Sequence, residues 1–162
     1  MQFGDGSSRT VPIFCYNAFM LTTPPRGFKW FDHTADIGIE VWGDSFEAIF
    51  EEAARALFSL ITDLDSVEPK ETVLVELKAQ SGEELFLVWL KELLFIFETK
   101  QLLLSKFQIS HLAFNRLQAK VTGERLNHSK HQLGHEVKAV TRHLFEFKKT
   151  ASGFFAKVIV DI

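Results

Sequence analysis

"FDHTADIGIEVWGDSFEAIFEEAARALFSLIT", residues 31–62, changes its hydrophobic period partway along. From Ile37 to Gly43 the apolar residues alternate, with Ile37, Ile39 and Val41 set against Gly38, Glu40 and Trp42, as in a half-buried strand. Gly43-Asp44-Ser45 ends that pattern, and Asp44 or Ser45 can accept hydrogen bonds from the open N–H groups of a following turn. Phe46, Ile49, Phe50, Ala53, Ala54, Leu57, Phe58 and Ile61 then recur at helical spacing, with Glu47, Glu51, Glu52 and Arg55 on the other side. The order repeats downstream. "ETVLVELKA" (71–79) alternates, and Ser81-Gly82 opens "EELFLVWLKELLFIFET" (83–99). This second helix is apolar nearly all round, so it is expected to lie between layers with Phe86, Trp89, Phe95 and Phe97 in the core. Beyond Lys100, "SKFQISHLAF", "RLQAKVTGE", "VKAVTRHLFEFKK" and "GFFAKVIVDI" read as strands, with turns at Gly123 and Ser152-Gly153. The expected fold is α+β, built from two related halves.

At 162 residues the chain reads as one domain, and its 17 Phe give ample material for a core. Cys15 is the single cysteine and cannot form an internal disulfide, so nothing points to an oxidising compartment and the expected location is cytoplasmic. It lies in "VPIFCYNAFM", an apolar run too short to span a bilayer, which needs about 20 apolar residues. With only Arg9 before it, offset by Asp5, the run is also a weak export signal. Pro24-Pro25 and Gly27 separate this segment from the rest. Residues 1–27 are therefore read as a disordered N-terminal extension, with Met20 an alternative start, and residues 28–162 as the folded domain. Charge is unevenly spread: residues 1–115 hold 9 Lys+Arg and 17 Asp+Glu, whereas residues 116–162 hold 9 and 4. Such asymmetry fits one acidic and one basic face, or charges merely scattered over a solvated surface.

The chain has no Gly-rich phosphate loop, no cysteine cluster for zinc and no G-x-S-x-G elbow. "NHSKHQLGH" offers His128, His131 and His135, but the spacing fits no closed zinc site. What remains is acidic and His residues at strand edges. Asp32 and His33 precede the first strand and could be ordinary turn and loop residues, while Asp36 begins it. At the other end, "KVIVDI" is an apolar strand that runs to the final residue. If it lies beside "DIGIEV", Asp36, Asp161 and the α-carboxylate of Ile162 converge. Three packed anions repel one another, and a hard divalent ion such as Ca²⁺ or Mg²⁺ with all-oxygen ligands would relieve that.

"DHTADIGIEVWG", "SFEAIFEEAARALFSLI", "LVWLKELLFIFET", "GHEVKAVTRH" and the terminal "VIVDI" together resemble the archease family, over Phe28 to Ile162. The resemblance implies two strand–helix–strand–strand units, one inserted in the other, with sheets packed on two main helices. It implies a divalent cation (Ca²⁺, or Mg²⁺/Mn²⁺) held by Asp36, Asp161 and the terminal carboxylate of Ile162. His33 matches the His of H-T-A-D, and Lys138 the Lys of E-V-K-A-V-T, a residue of expected functional use. The implied role is non-catalytic: activation of an RtcB-type, GTP-dependent RNA ligase of tRNA splicing and RNA repair, by promoting its guanylylation and repeated turnover. RNA is a further expected contact, through Lys138, Arg142, Lys148 and Lys149, and a membrane is not. Two departures stand out, Arg142 where the family has Tyr and Leu144 where it has Asp. The competing readings are a stand-alone metal-dependent phosphoryl-transfer enzyme, with His33 as general base, and a metal-independent chaperone or scaffold.

Overall fold

The computed structural model describes residues 25–162. The readings on Cys15, Met20 and the apolar run around them lie outside the described residues. Seven strands and two long helices follow in the order β1 (Gly27–His33), β2 (Asp36–Gly43), α1 (Phe46–Ile61), β3 (Glu71–Lys78), α2 (Gly82–Lys100), β4 (Leu102–Ala113), β5 (Arg116–Arg125), β6 (Ala139–Thr150) and β7 (Gly153–Asp161). They form two antiparallel sheets, ordered β1-β2-β7-β6 and β3-β5-β4. The second sheet and α2 come from one continuous stretch between α1 and β6. One strand–helix–strand–strand unit (β3, α2, β4, β5) is thus inserted into another (β2, α1, β6, β7), with β1 added at the outer unit's edge. The fold is α+β, as the sequence pattern predicts.

Local chemistry starts both helices where expected. Ser45 caps α1 by accepting from the Ala48 N–H at 3.0 Å, and Ser81 caps α2 by accepting from the Glu84 N–H at 3.1 Å. Helix α1 packs on β1, β2 and β7 of one sheet and on β4 of the other, while α2 packs on β3, β4, β5 and β6. Both helices therefore bury side chains against both sheets. Trp89 of α2 is fully buried and donates its indole N–H to the Phe50 carbonyl of α1 at 2.9 Å, which joins the helices at the centre of the core. Around that point Phe46, Phe50, Phe86, Phe147 and Phe154 meet edge-on or tilted, with centroids 5.1–6.4 Å apart.

Three expectations need correcting. Asp32 and His33 are not in a loop: they end β1, a strand paired with β2 along its whole length, and Gly27 already belongs to that strand. Helix α2 is not buried all round, since Phe95 is 56% exposed and Phe97 is only partly buried. Glu52 is not on a solvent face. It is buried, and Arg26, just ahead of β1, pairs with it at 2.8 Å and with Glu51 at 2.9 Å. The paired guanidinium supplies the hydrogen bonds that a buried carboxylate needs.

A polar cluster holds the loop after β5. Buried Glu124 accepts from Lys130 at 2.7 Å, Lys70 at 3.1 Å and the Glu68 N–H at 3.0 Å. His131 Nδ1 accepts from the Asn127 N–H at 3.0 Å, which leaves Nε2–H to donate to Glu124 at 2.9 Å. Its neighbours thus commit His131 to this network, and among the described residues no group of three or more His, Cys, Asp or Glu side chains forms a metal site. Lys130 and the other donors hold the Glu124 carboxyl well below the usual carboxylate range. A carboxyl depressed in the folded state stabilises above its unfolded pKa, about 4.3, and that contribution is lost as pH falls below it. Glu124→Gln is therefore expected to lower the melting temperature at pH 7 and to flatten the fall in stability between about pH 5 and pH 3, measured by thermal denaturation across pH.

Candidate functional site at the β2–β7 edge

Strand register brings the two ends of the domain together. Asp36, the first residue of β2, lies directly opposite Asp161, the last of β7. Ile37, Ile39 and Val41 pair with Val160, Val158 and Ala156 on the core face, so Asp36 and Asp161 share the opposite face. Directly opposed residues have Cβ atoms about 5 Å apart, and like charges so placed destabilise the pair. Ile162 packs its partly buried side chain against the core, which fixes its backbone beside Asp161.

Lys138 reaches the same edge by a specific route. The loop from β5 to β6 is tied to the end of α1: Gly134 N–H donates to the Ile61 carbonyl at 2.7 Å and His135 N–H to the Leu60 carbonyl at 2.8 Å. A Cβ at Gly134 would stand 2.6 Å from the Leu60 oxygen, so only glycine passes the helix this closely. The chain then delivers Lys138, whose N–H donates to the Asp161 carbonyl at 2.7 Å, while its side chain is exposed. A groove of about 610 Å³, lined in part by Leu126, Leu133, His135 and Lys138, opens beside it.

His33 is the register partner of Asp36 on β1. Its Nδ1 is buried without a hydrogen-bond partner, and its ring lies 5.6 Å from that of His143. The contact is framed by two residues in the left-handed region, Thr34 (φ 53) and Leu144 (φ 53). Thr34 is in the two-residue turn between His33 and Asp36, and Leu144 is in an irregular stretch of β6 where pairing with β7 breaks between Thr141 and Glu146. Side chains branched at Cβ or Cγ adopt this backbone at a cost of about 1–2 kcal/mol each. Asp or Asn is better suited to it, so the departure at Leu144 adds strain beside the site. Leu144→Asn is expected to raise stability by about 0.5–1 kcal/mol, read from urea unfolding midpoints at constant slope.

The structure thus gathers Asp36, Asp161, Ile162, Lys138 and His33 at one edge and adds His143, which sequence reasoning did not single out. Of the other expected cations, Lys148 lies near Glu146 and over the Phe155 ring, away from this edge. The donor chemistry suits a hard cation. Two opposed carboxylates offer oxygen only, and their mutual repulsion lacks a partnering Lys or Arg side chain among the described ion pairs.

Comparison with known proteins agrees with the fold. The family model described as the archease protein family matches residues 28–162. The protein archease of Methanosarcina mazei is 35% identical over 145 residues, covering 86% of this chain and 99% of the relative. That of Sulfolobus acidocaldarius is 38% identical over 136 residues, covering 83% and 98%. Among solved structures, the solution structure of Methanobacterium thermoautotrophicum protein 1598 superposes with a TM-score of 0.73 at 37% identity, covering 84% of this chain and 99% of that one. The crystal structure of a Thermotoga maritima protein titled "an archease, possible chaperone" gives a TM-score of 0.59 at 26% identity, covering 83% and 96%.

Proposed function

This chain belongs to the archease family, and from that premise we propose that it is a non-catalytic activator of an RtcB-type RNA ligase, working through the acidic pair at the β2–β7 edge. The observation that carries the reading is the direct opposition of Asp36 and Asp161, with Lys138 bonded to the Asp161 carbonyl. Asp36 and Asp161 would hold a divalent cation, with a terminal carboxylate at Ile162 as third oxygen donor. Ca²⁺, Mg²⁺ and Mn²⁺ all accept such a set. When bound, the cation supplies positive charge that can offset charge on phosphate oxygens.

The ligase must first attach GMP to an active-site His, a step governed by positioning and charge neutralisation. In this reading the rigid strand edge presents the carboxylates as one preorganised unit. Exposed Lys138 stands beside them as a point charge for a phosphate or an acidic ligase side chain. His33, the register partner of Asp36, stands beside them. Joining of RNA ends by the cognate ligase, followed over several turnovers with and without this protein, tests the proposal. Sustained turnover only in its presence is expected. Equal turnover without it, or RNA or nucleotide hydrolysis by this protein alone, would contradict it.

A further inference from the structure

The outer face of the three-stranded sheet is covered by no other layer of the described residues. Alternation turns Val75, Leu117, Ala119 and Val121 toward the helices, so Lys78, Lys106, Arg116 and Lys120 project the other way. Lys78 lies directly opposite Arg116, and Lys106 lies opposite Thr122, diagonal to Lys120. The diagonal separation is about 7–8 Å, and Arg116 to Lys120 along β5 is about 13 Å, so the cations cross the sheet obliquely. Glu76 on this face is paired with Arg116, and Glu124, at its far end by the same alternation, is taken by Lys70 and Lys130. Among the described residues Lys78, Lys106 and Lys120 have no acidic partner. On the four-stranded sheet, Lys29, Lys148 and Lys157 are met by Glu40 and Glu146, while Arg142 and Lys149 have no acidic partner among the described residues.

Two exposed apolar side chains accompany the cations. Leu74 pairs with Lys120 in mid-sheet and is 78% exposed, and Phe114, at the two-residue tip between β4 and β5, is 66% exposed. Uncompensated cations in a row with an exposed aromatic ring at one end form the pairing that single-stranded nucleic acid uses, phosphates on Lys/Arg and a base on the ring. We infer that the outer face of β3-β5-β4 binds single-stranded nucleic acid through its sugar–phosphate chain, with Phe114 stacking on a base. No constellation on this face reads base edges, so sequence preference is small.

The inference goes beyond the ligase reading, and its test contains no ligase. Binding of a short fluorescent oligouridine to the whole chain would be followed by anisotropy over a salt series. Neutralising two phosphate contacts in Lys106→Gln/Lys120→Gln is expected to reduce the slope of log K against log salt by about 1.4. Phe114→Ala should weaken binding about tenfold with the slope unchanged. Lys91→Gln, on an exposed turn of α2, should alter neither. An unchanged slope in the double variant would overturn the inference. So would an equal loss in Lys91→Gln, or polyglutamate binding this face as tightly as the oligonucleotide, which would mark an acidic protein as the occupant.

Discussion

Asp36→Ala is expected to yield a folded protein, slightly more stable than the wild type without metal, that no longer gains stability from a divalent cation. Asp36 and Asp161 face each other in register on the outer side of the sheet, so removing one relieves like-charge repulsion worth about 0.2–1 kcal/mol. The backbone pairing of β1, β2 and β7 is untouched, because the change is confined to a side chain at the strand's first residue. In the wild type, an ion that binds only the native state adds about 2.7 kcal/mol at a concentration 100-fold above its Kd. Thermal denaturation with and without excess Ca²⁺ reads both effects. A rise in melting temperature for the wild type and none for Asp36→Ala is the expected result, and equal rises in both would place the cation elsewhere.

The largest loss of stability is expected at Trp89, far from that edge. Trp89→Ala removes a fully buried ring and leaves the Phe50 carbonyl without its indole donor. Truncations of buried Phe or Trp to Ala cost about 3–5 kcal/mol, against a typical total of about 5–15 kcal/mol. The melting temperature should fall by roughly 10 °C or more. Trp89→Phe keeps most of the volume and loses only the hydrogen bond, so it should cost markedly less. Similar losses in the two variants would mean that the bond, not the packing, ties α1 to α2.

What the sequence disclosed follows from where its periodicity was intact. Ile37, Ile39 and Val41, and Val158 and Val160, face one core from two strands, so their alternation places Asp36 and Asp161 at strand ends before any pairing is known. Only the register makes them opposite. Strand β1 was illegible because Phe28 packs against the core while Phe31 and His33 lie on the other face, where the Phe31 ring covers Gly38. With apolar residues on both faces, "GFKWFDH" lacks a clean period of two. His143 was missed for a different reason. "VKAVTRHLFEFKK" scans as one strand, whereas the chain turns left-handed at Leu144 and slips its register, which carries His143 to His33. Phe95 shows the limit of composition: an apolar helix need not be buried on every side when its outer stripe meets no layer.

In the proposed function the Asp36–Asp161 edge is what this protein contributes to an RNA ligase. Guanylylation of the cognate RtcB-type ligase by GTP, measured over several turnovers with the wild type and with Asp36→Ala, tests it most directly. Stimulation by the wild type and none by an equally folded Asp36→Ala protein is the predicted result. Equal stimulation by both would contradict it and leave the carboxylate pair without a role in activation.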